Sequence, residues 1–123
     1  MKLDLSGMRV TVMGLGVHGG GLSAVRYAVE RGATVTVTDL RDEHLLRESV
    51  EHLPSSCRLV LGRHDEADFR NADLVIKNPA VPRTAASLSA APAVTTDIAL
   101  FLAEWLGDRH GSNGDERIAA GDE

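Results

Sequence analysis

The sequence predicts an α/β fold built on an open parallel sheet of about five strands with flanking helices, spanning residues 1–106. Three observations carry this reading. A short apolar run, Arg9-Val-Thr-Val-Met13, breaks into Gly14, Gly16 and Gly19 at the G-x-G-x-x-G spacing of nucleotide-binding βαβ units. Strand-period and helix-period segments then alternate down the chain. A second strand pattern ends in Asp39, where a βαβ unit places the carboxylate that reads a nucleoside. Together they describe a Rossmann-like arrangement.

In the first strand Val10 and Val12 alternate with Thr11. Gly14 permits the tight turn out of it, Gly16 lets a pyrophosphate approach the backbone, and Gly19 allows close packing of helix on sheet. The free N–H groups of the first helical turn then face the anion. A glycine-rich turn alone is also ordinary loop punctuation. Here Leu22, Val25 and Val29 follow at helical spacing, Arg31-Gly32 reads as a helix end, and Thr34 to Thr38 resumes a strand pattern, so nucleotide binding is the stronger reading.

Asp42 is placed to cap a second helix whose Leu45, Leu46, Ser49, Val50 and Leu53 share a face, with Pro54 ending it. Arg58 to Leu61 reads as a third strand. The acidic stretch from Asp65 to Asp68 makes a short helical turn, and with His64 it is expected to be solvated. Ala72 to Lys77 is a fourth strand with the continuous apolar run of a strand covered on both faces. Two prolines in Asn78-Pro-Ala-Val-Pro82 then stiffen a loop at the carboxyl edge of the sheet, beside the glycine turn. A short helix from Thr84 to Ala90 and a brief strand from Ala93 to Thr95 follow.

Thr96 is a candidate N-cap for a last helix with Ile98, Phe101, Leu102, Trp105 and Leu106 in one apolar stripe. Trp105 reads as a core or interface residue. Residues 107–123 are polar and glycine-rich, a predicted disordered tail. Right-handed crossovers put the strands in the order third, second, first, fourth, fifth.

At 123 residues the chain has room for one domain, and it is short for a two-substrate enzyme. A net charge of −5 argues against a nucleic-acid surface. The lone Cys57 excludes an internal disulfide and reads as a small packing residue rather than a nucleophile. No segment is long enough to span a bilayer and no signal-peptide pattern opens the chain, so no membrane partner and a cytoplasmic location are expected. The five histidines show no ligand spacing, so no metal site is expected, and no G-x-S-x-G nucleophile elbow is present. These residues bind rather than catalyse.

Gly14-Leu-Gly-Val-His-Gly19, Thr38-Asp-Leu-Arg41, Lys77-Asn-Pro-Ala-Val-Pro82 and Thr96-Asp-Ile-Ala-Leu-Phe101 occur in the order and approximate spacing seen at the start of the Mur ligases. Residues 5–106 most closely resemble the N-terminal UDP-binding domain of the D-glutamate-adding (MurD-type) members of that family. The resemblance implies a domain of peptidoglycan synthesis that grips the UDP part of UDP-N-acetylmuramoyl-L-alanine. Val17 and His18 would offer N–H groups to the diphosphate, Asp39 and Arg41 would hold the uridine end, and Asn78, Pro79 and Ala80 would close over the uracil. ATP and Mg2+ would belong to a further domain of the family enzyme, and this chain is expected to lack both cofactors and to be inactive alone.

The chain departs from the family pattern at four places. His18 and Leu40 stand where a hydroxyl residue is usual, and Gly20-Gly21 read as extra residues that lengthen the turn. Ala80 replaces a glycine, which tells against any geometry there that needs a positive φ. Gly111-Ser-Asn-Gly114 resembles the opening of the family's ATP loop, but Asp115 and Glu116 follow where Lys and Ser/Thr are needed, so no ATP site is read. The leading expectation is thus a truncated substrate-binding domain of the ligase. A small NAD-binding regulatory module and an interaction protein that self-associates through the 97–106 helix stand as alternatives.

Overall fold

A computed structural model of the chain describes residues 4–16, 21–82, 85–96, 99–100, 102–104 and 106. Its strands are β1 (Arg9–Met13), β2 (Thr34–Asp39), β3 (Arg58–Leu61), β4 (Leu74–Lys77) and β5 (Val94–Thr96). The helices are α1 (Leu22–Glu30), α2 (Glu43–Glu51) and α3 (Glu66–Arg70), with a 3-10 helix at Ala86–Ala90. The strands form one sheet in the order β3-β2-β1-β4-β5, and every pairing is parallel. This is the predicted topology. Its register places Met13 beside both Thr38 and Lys77, so these carboxyl-end residues form one row across the sheet.

Alternation along the strands divides the core between the two sheet faces. Val10, Val12, Val35, Val37 and Ile76 pack with Ala24, Val25 and Ala28 of α1. On the other face Met13 and Val75 pack with Phe69, Ala72 and Leu88. Thr11 also points to that second face, where its hydroxyl donates to the Asp68 carbonyl at 2.6 Å. The strand β-branching suits this double burial, because both faces of a parallel sheet are covered. Cys57 is half-buried against the first cluster, and burial pushes its thiol pKa up, as suits a packing residue.

Several boundaries and faces differ from the sequence reading. In α2 the Asp42 carboxylate does accept from the Leu45 N–H at 3.0 Å, and Leu46 and Ser49 are buried. Leu45, however, is 57% exposed: the buried stripe is narrower than the apolar pattern, and the residue one step before Leu46 turns outward. The segment expected as a short helix to Ala90 is 3-10 from Ala86, since Leu88 is its only buried side chain and little else rewards a longer helix. Strand β4 starts at Leu74 because Ala72 is absorbed into the second cluster. Strand β5 ends on Thr96, whose Oγ1 nonetheless caps the next helix by accepting from the Ala99 N–H at 3.1 Å. The expectations for Thr84, Asp97, Ile98, Phe101, Trp105 and the tail from Gly107 lie outside the described residues.

The described residues of that last segment are helical and are tied to α1 through Glu104. Arg31 donates to both carboxylate oxygens, Nε to Oε2 at 2.7 Å and Nη2 to Oε1 at 3.0 Å, and the Tyr27 hydroxyl donates to Oε2 at 2.6 Å. The Arg31 guanidinium lies 3.6 Å over the Tyr27 ring. Burial, then the Glu104 carboxylate, pushes the Tyr27 phenol well above its usual pKa. Because Arg31 and Glu104 are 13% and 12% exposed, removing one strands the other with little solvent. Glu104→Ala is expected to cost about 2 kcal/mol of unfolding free energy by urea denaturation; an unchanged midpoint would show that the clamp adds nothing.

Candidate functional site

The glycine turn leaves β1 through Gly14 at φ +95° and Gly16 at φ +84°, conformations that L side chains rarely adopt. A Cβ on Gly14 would also lie 2.8 Å from the Asn78 Cβ. Val17, His18, Gly19 and Gly20 lie outside the described residues. Between Gly14 and Gly16, Leu15 is wholly buried in the first core cluster and anchors the turn.

Side chains from neighbouring strand ends hold this turn. Asp39, 3% exposed at the end of β2, accepts through Oδ2 from the N–H groups of Leu15 at 2.9 Å and Gly16 at 3.2 Å. Its Oδ1 accepts from the Arg41 N–H at 2.9 Å and lies 3.5 Å from Arg41 Nη1. Ser49 of α2 donates to the Gly16 carbonyl at 2.8 Å. Asn78, just past β4, donates through Nδ2 to the Gly14 carbonyl at 3.3 Å and accepts through Oδ1 from the Ala80 N–H at 2.9 Å. Asp39 and Asn78 therefore spend their polar atoms on backbone, while Arg41, half-exposed, and the exposed Pro79 and Ala80 remain at the surface.

The turn continues into Gly21, a buried residue that opens α1. Its N–H donates to the Leu15 carbonyl at 2.7 Å, and a Cβ there would sit 2.4 Å from the Gly14 carbonyl oxygen. Gly21 is a close-packing position. The run Gly19-Gly-Gly21 hides it, because its requirement comes from the returning backbone and not from spacing. Ala80 is also resolved by the geometry. No described non-glycine residue has a positive φ, so alanine fits this loop without strain.

A cleft of about 430 Å³ opens at the carboxyl edge of the sheet, lined by Met13, Leu40, His64, Val81, Pro82 and Ser87 among others. Leu40 is 67% exposed on its rim. His64 follows β3 and is not the solvated residue that the sequence suggests. It is half-buried, with Nδ1 2.7 Å from Thr38 Oγ1 and its ring edge-on to Phe69 at 5.7 Å between centroids. Burial lowers its pKa, opposed more weakly by the Asp39 charge. Asp68 also departs from the expected solvated turn, since α3 lays it against the sheet. Its Oδ1 accepts from Arg58 at 2.6 Å, while Oδ2 is buried without a partner among the described residues. Beneath the loop, Lys77 is 6% exposed and donates to the Val81 carbonyl at 2.9 Å, fastening the Asn78 to Pro82 turn. The sequence signal for His64 is its place directly beyond a strand's carboxyl end, where an open sheet binds ligands.

Among the described residues no three His, Cys, Asp or Glu side chains gather to hold a metal ion, and no helix is long and apolar enough to cross a membrane. What the described residues offer is a turn braced at Gly14 to Gly16, ahead of α1 and beside a mostly apolar cleft, an arrangement suited to an anionic group joined to a flat ring.

The family model for the Mur ligase MurD-like N-terminal domain matches residues 8–99. A UDP-N-acetylmuramoylalanine--D-glutamate ligase of Treponema pallidum (strain Nichols) is 47% identical over 105 residues, covering 80% of this chain and 20% of that protein. The proteins of the same name from Roseiflexus sp. (strain RS-1) and Borreliella burgdorferi (strain ZS7) are 46% and 42% identical, covering 81% and 83% of this chain. The chain spans less than a quarter of the length of these relatives, 20% to 24%. Among solved structures, shikimate dehydrogenase from Aquifex aeolicus covers 95% of this chain and 53% of its own at TM-score 0.53 and 12% identity, a likeness of fold alone.

The close approach at Gly21 makes a direct test of the turn. Gly21→Ala is expected to lose about 3 kcal/mol of stability or to fail to fold, because both groups it would strike are backbone. Wild-type stability in that variant, measured by thermal melting, would mean that the turn and α1 are not packed as described.

Proposed function

The chain belongs to the Mur ligase family as a MurD-like N-terminal domain, and from this we propose that it binds the UDP part of UDP-N-acetylmuramoyl-L-alanine for a cytoplasmic, ATP-dependent D-glutamate ligase. The observation that carries the reading is the glycine turn, braced by Asp39, Ser49 and Asn78, opening beside the cleft at the carboxyl edge. In this proposal Gly14 and Gly16 shape the turn, and the backbone N–H groups of Val17, His18 and Gly19 take the diphosphate at the start of α1. The uracil enters the cleft between Leu40 and the loop of Asn78, Pro79 and Ala80, with Arg41 beside the uridine and Asp39 holding Arg41 and the turn in place.

The chain's own share of the reaction is binding and orientation. ATP and Mg2+, held by other parts of the full enzyme, would supply activation of the substrate carboxylate for attack by the amine of D-glutamate. A domain that fixes the nucleotide end contributes by holding the distant carboxylate where that chemistry occurs. The alternative of a NAD-binding module is weakened by Asp39. A carboxylate that reads an adenosine ribose needs free acceptor capacity, and here both oxygens are engaged by backbone N–H groups.

Isothermal titration of the 123-residue chain is expected to show saturable binding of UDP-N-acetylmuramoyl-L-alanine and UDP, little binding of NADH or ATP, and no D-glutamate addition by this chain alone. Preference for NADH, or no binding of either UDP compound, would overturn the proposal.

A further inference from the structure

A ligand held only by backbone N–H groups and an apolar cleft is gripped without being identified, because phosphates are common to all nucleotides and apolar walls accept any flat base. Base discrimination needs a polar group of fixed donor or acceptor character. Of the described side chains lining the cleft, only His64 and Ser87 carry polar atoms. The Ser87 hydroxyl rotates and both donates and accepts, so it satisfies either kind of base edge. His64 is different, because its surroundings fix the tautomer.

The Thr38 hydroxyl lies 3.0 Å from the Arg63 carbonyl and 2.7 Å from His64 Nδ1. It has one hydrogen, and a carbonyl only accepts, so that hydrogen goes to Arg63. Nδ1 must then be the donor to Thr38 Oγ1, which leaves Nε2 of the neutral ring as an acceptor. The other tautomer forfeits one of these two bonds. Nε2 has no hydrogen-bond partner among the described residues, and it is not among the buried unpartnered atoms. On a side chain that lines the cleft, this is an acceptor open to a ligand. Thr38 itself is fully buried on β2 and Phe69 backs the ring, so the imidazole is held from behind and from the side.

We propose that His64 is a specificity-determining residue of this cleft: its Nε2 accepts a hydrogen bond from a ring imide N–H, selecting a uracil-type base over a cytosine-type base. The assignment rests on the UDP-binding reading given above. A uracil ring presents N–H at N3, which the Nε2 lone pair meets. A cytosine ring presents a lone pair at the same position, which Nε2 repels, and the ring nitrogen is left without a partner. The half-buried ring stays neutral, and thus an acceptor, near neutral pH. Asp39 attracts the proton form from β2, Arg63 and Asp65 pair with each other beside the ring, and Asp68 of α3 is taken by Arg58.

The test is titration of the full chain with UDP and with CDP, for wild type, His64→Phe and His64→Gln. Wild type is expected to favour UDP over CDP about tenfold. In His64→Phe the UDP affinity falls to near that for CDP. His64→Gln binds both alike, because its amide turns either its oxygen or its N–H to the base. If Phe at this position unfolds the chain, as thermal melting would show, the Gln variant alone decides. Variants that keep the wild-type ratio of UDP to CDP affinity, or a wild type that binds the two equally, overturn the assignment and leave UDP binding standing. A wild type that binds neither nucleotide overturns the functional reading and this assignment with it.

Discussion

The buried carboxylate of Asp39 is the interaction on which the site depends. Taking a charged group out of water is costly unless its lone pairs are filled, and here three backbone N–H groups fill them, those of Leu15, Gly16 and Arg41. The bonds join β2 to the turn that leaves β1. Ser49 adds α2 to the same turn and Asn78 adds the loop after β4. Side chains from β2, α2 and the loop after β4 thus all hold the described part of the glycine turn.

This has a consequence for how the turn handles an anion. A glycine turn offers a succession of N–H groups, and the first two are already spent on an internal carboxylate. In the proposed binding mode a diphosphate would meet the later ones, nearer the start of α1, where the helix dipole favours negative charge. Arg41, held at both its backbone and its guanidinium by Asp39, would in that mode offset the carboxylate's negative charge beside the phosphates.

The elements fixed by alternation and spacing were legible in the sequence: the five strands, their order, the Asp42 and Thr96 caps, and the tight turn at Gly14. These follow from local rules that hold wherever the chain is placed. Asp68 and His64 were misread for a shared reason. Each is defined by a partner from a neighbouring strand, Arg58 against Asp68 and Thr38 against His64. Charge composition made His64 and Asp68 look solvated, whereas α3 packing on Thr11 and Met13 carries that segment over the sheet. Of the site residues named from sequence, Asp39 and Asn78 lie beside the glycine turn and their polar atoms brace backbone, a use that spacing alone does not reveal.

That distinction separates affinity from selectivity in this fold. Backbone N–H groups at a helix start supply attraction for phosphate with no information about the base, and the residues that position them are spent in doing so. Selectivity must come from a group that is itself positioned but still has an open atom. His64 meets both conditions because a two-nitrogen ring uses one nitrogen for anchorage and keeps the other. A serine in the same cleft, anchored through its single oxygen, would have no second atom to offer, and a guanidinium such as that of Arg41 offers donors alone. The imidazole is the side chain on this edge for which being held and being available are compatible.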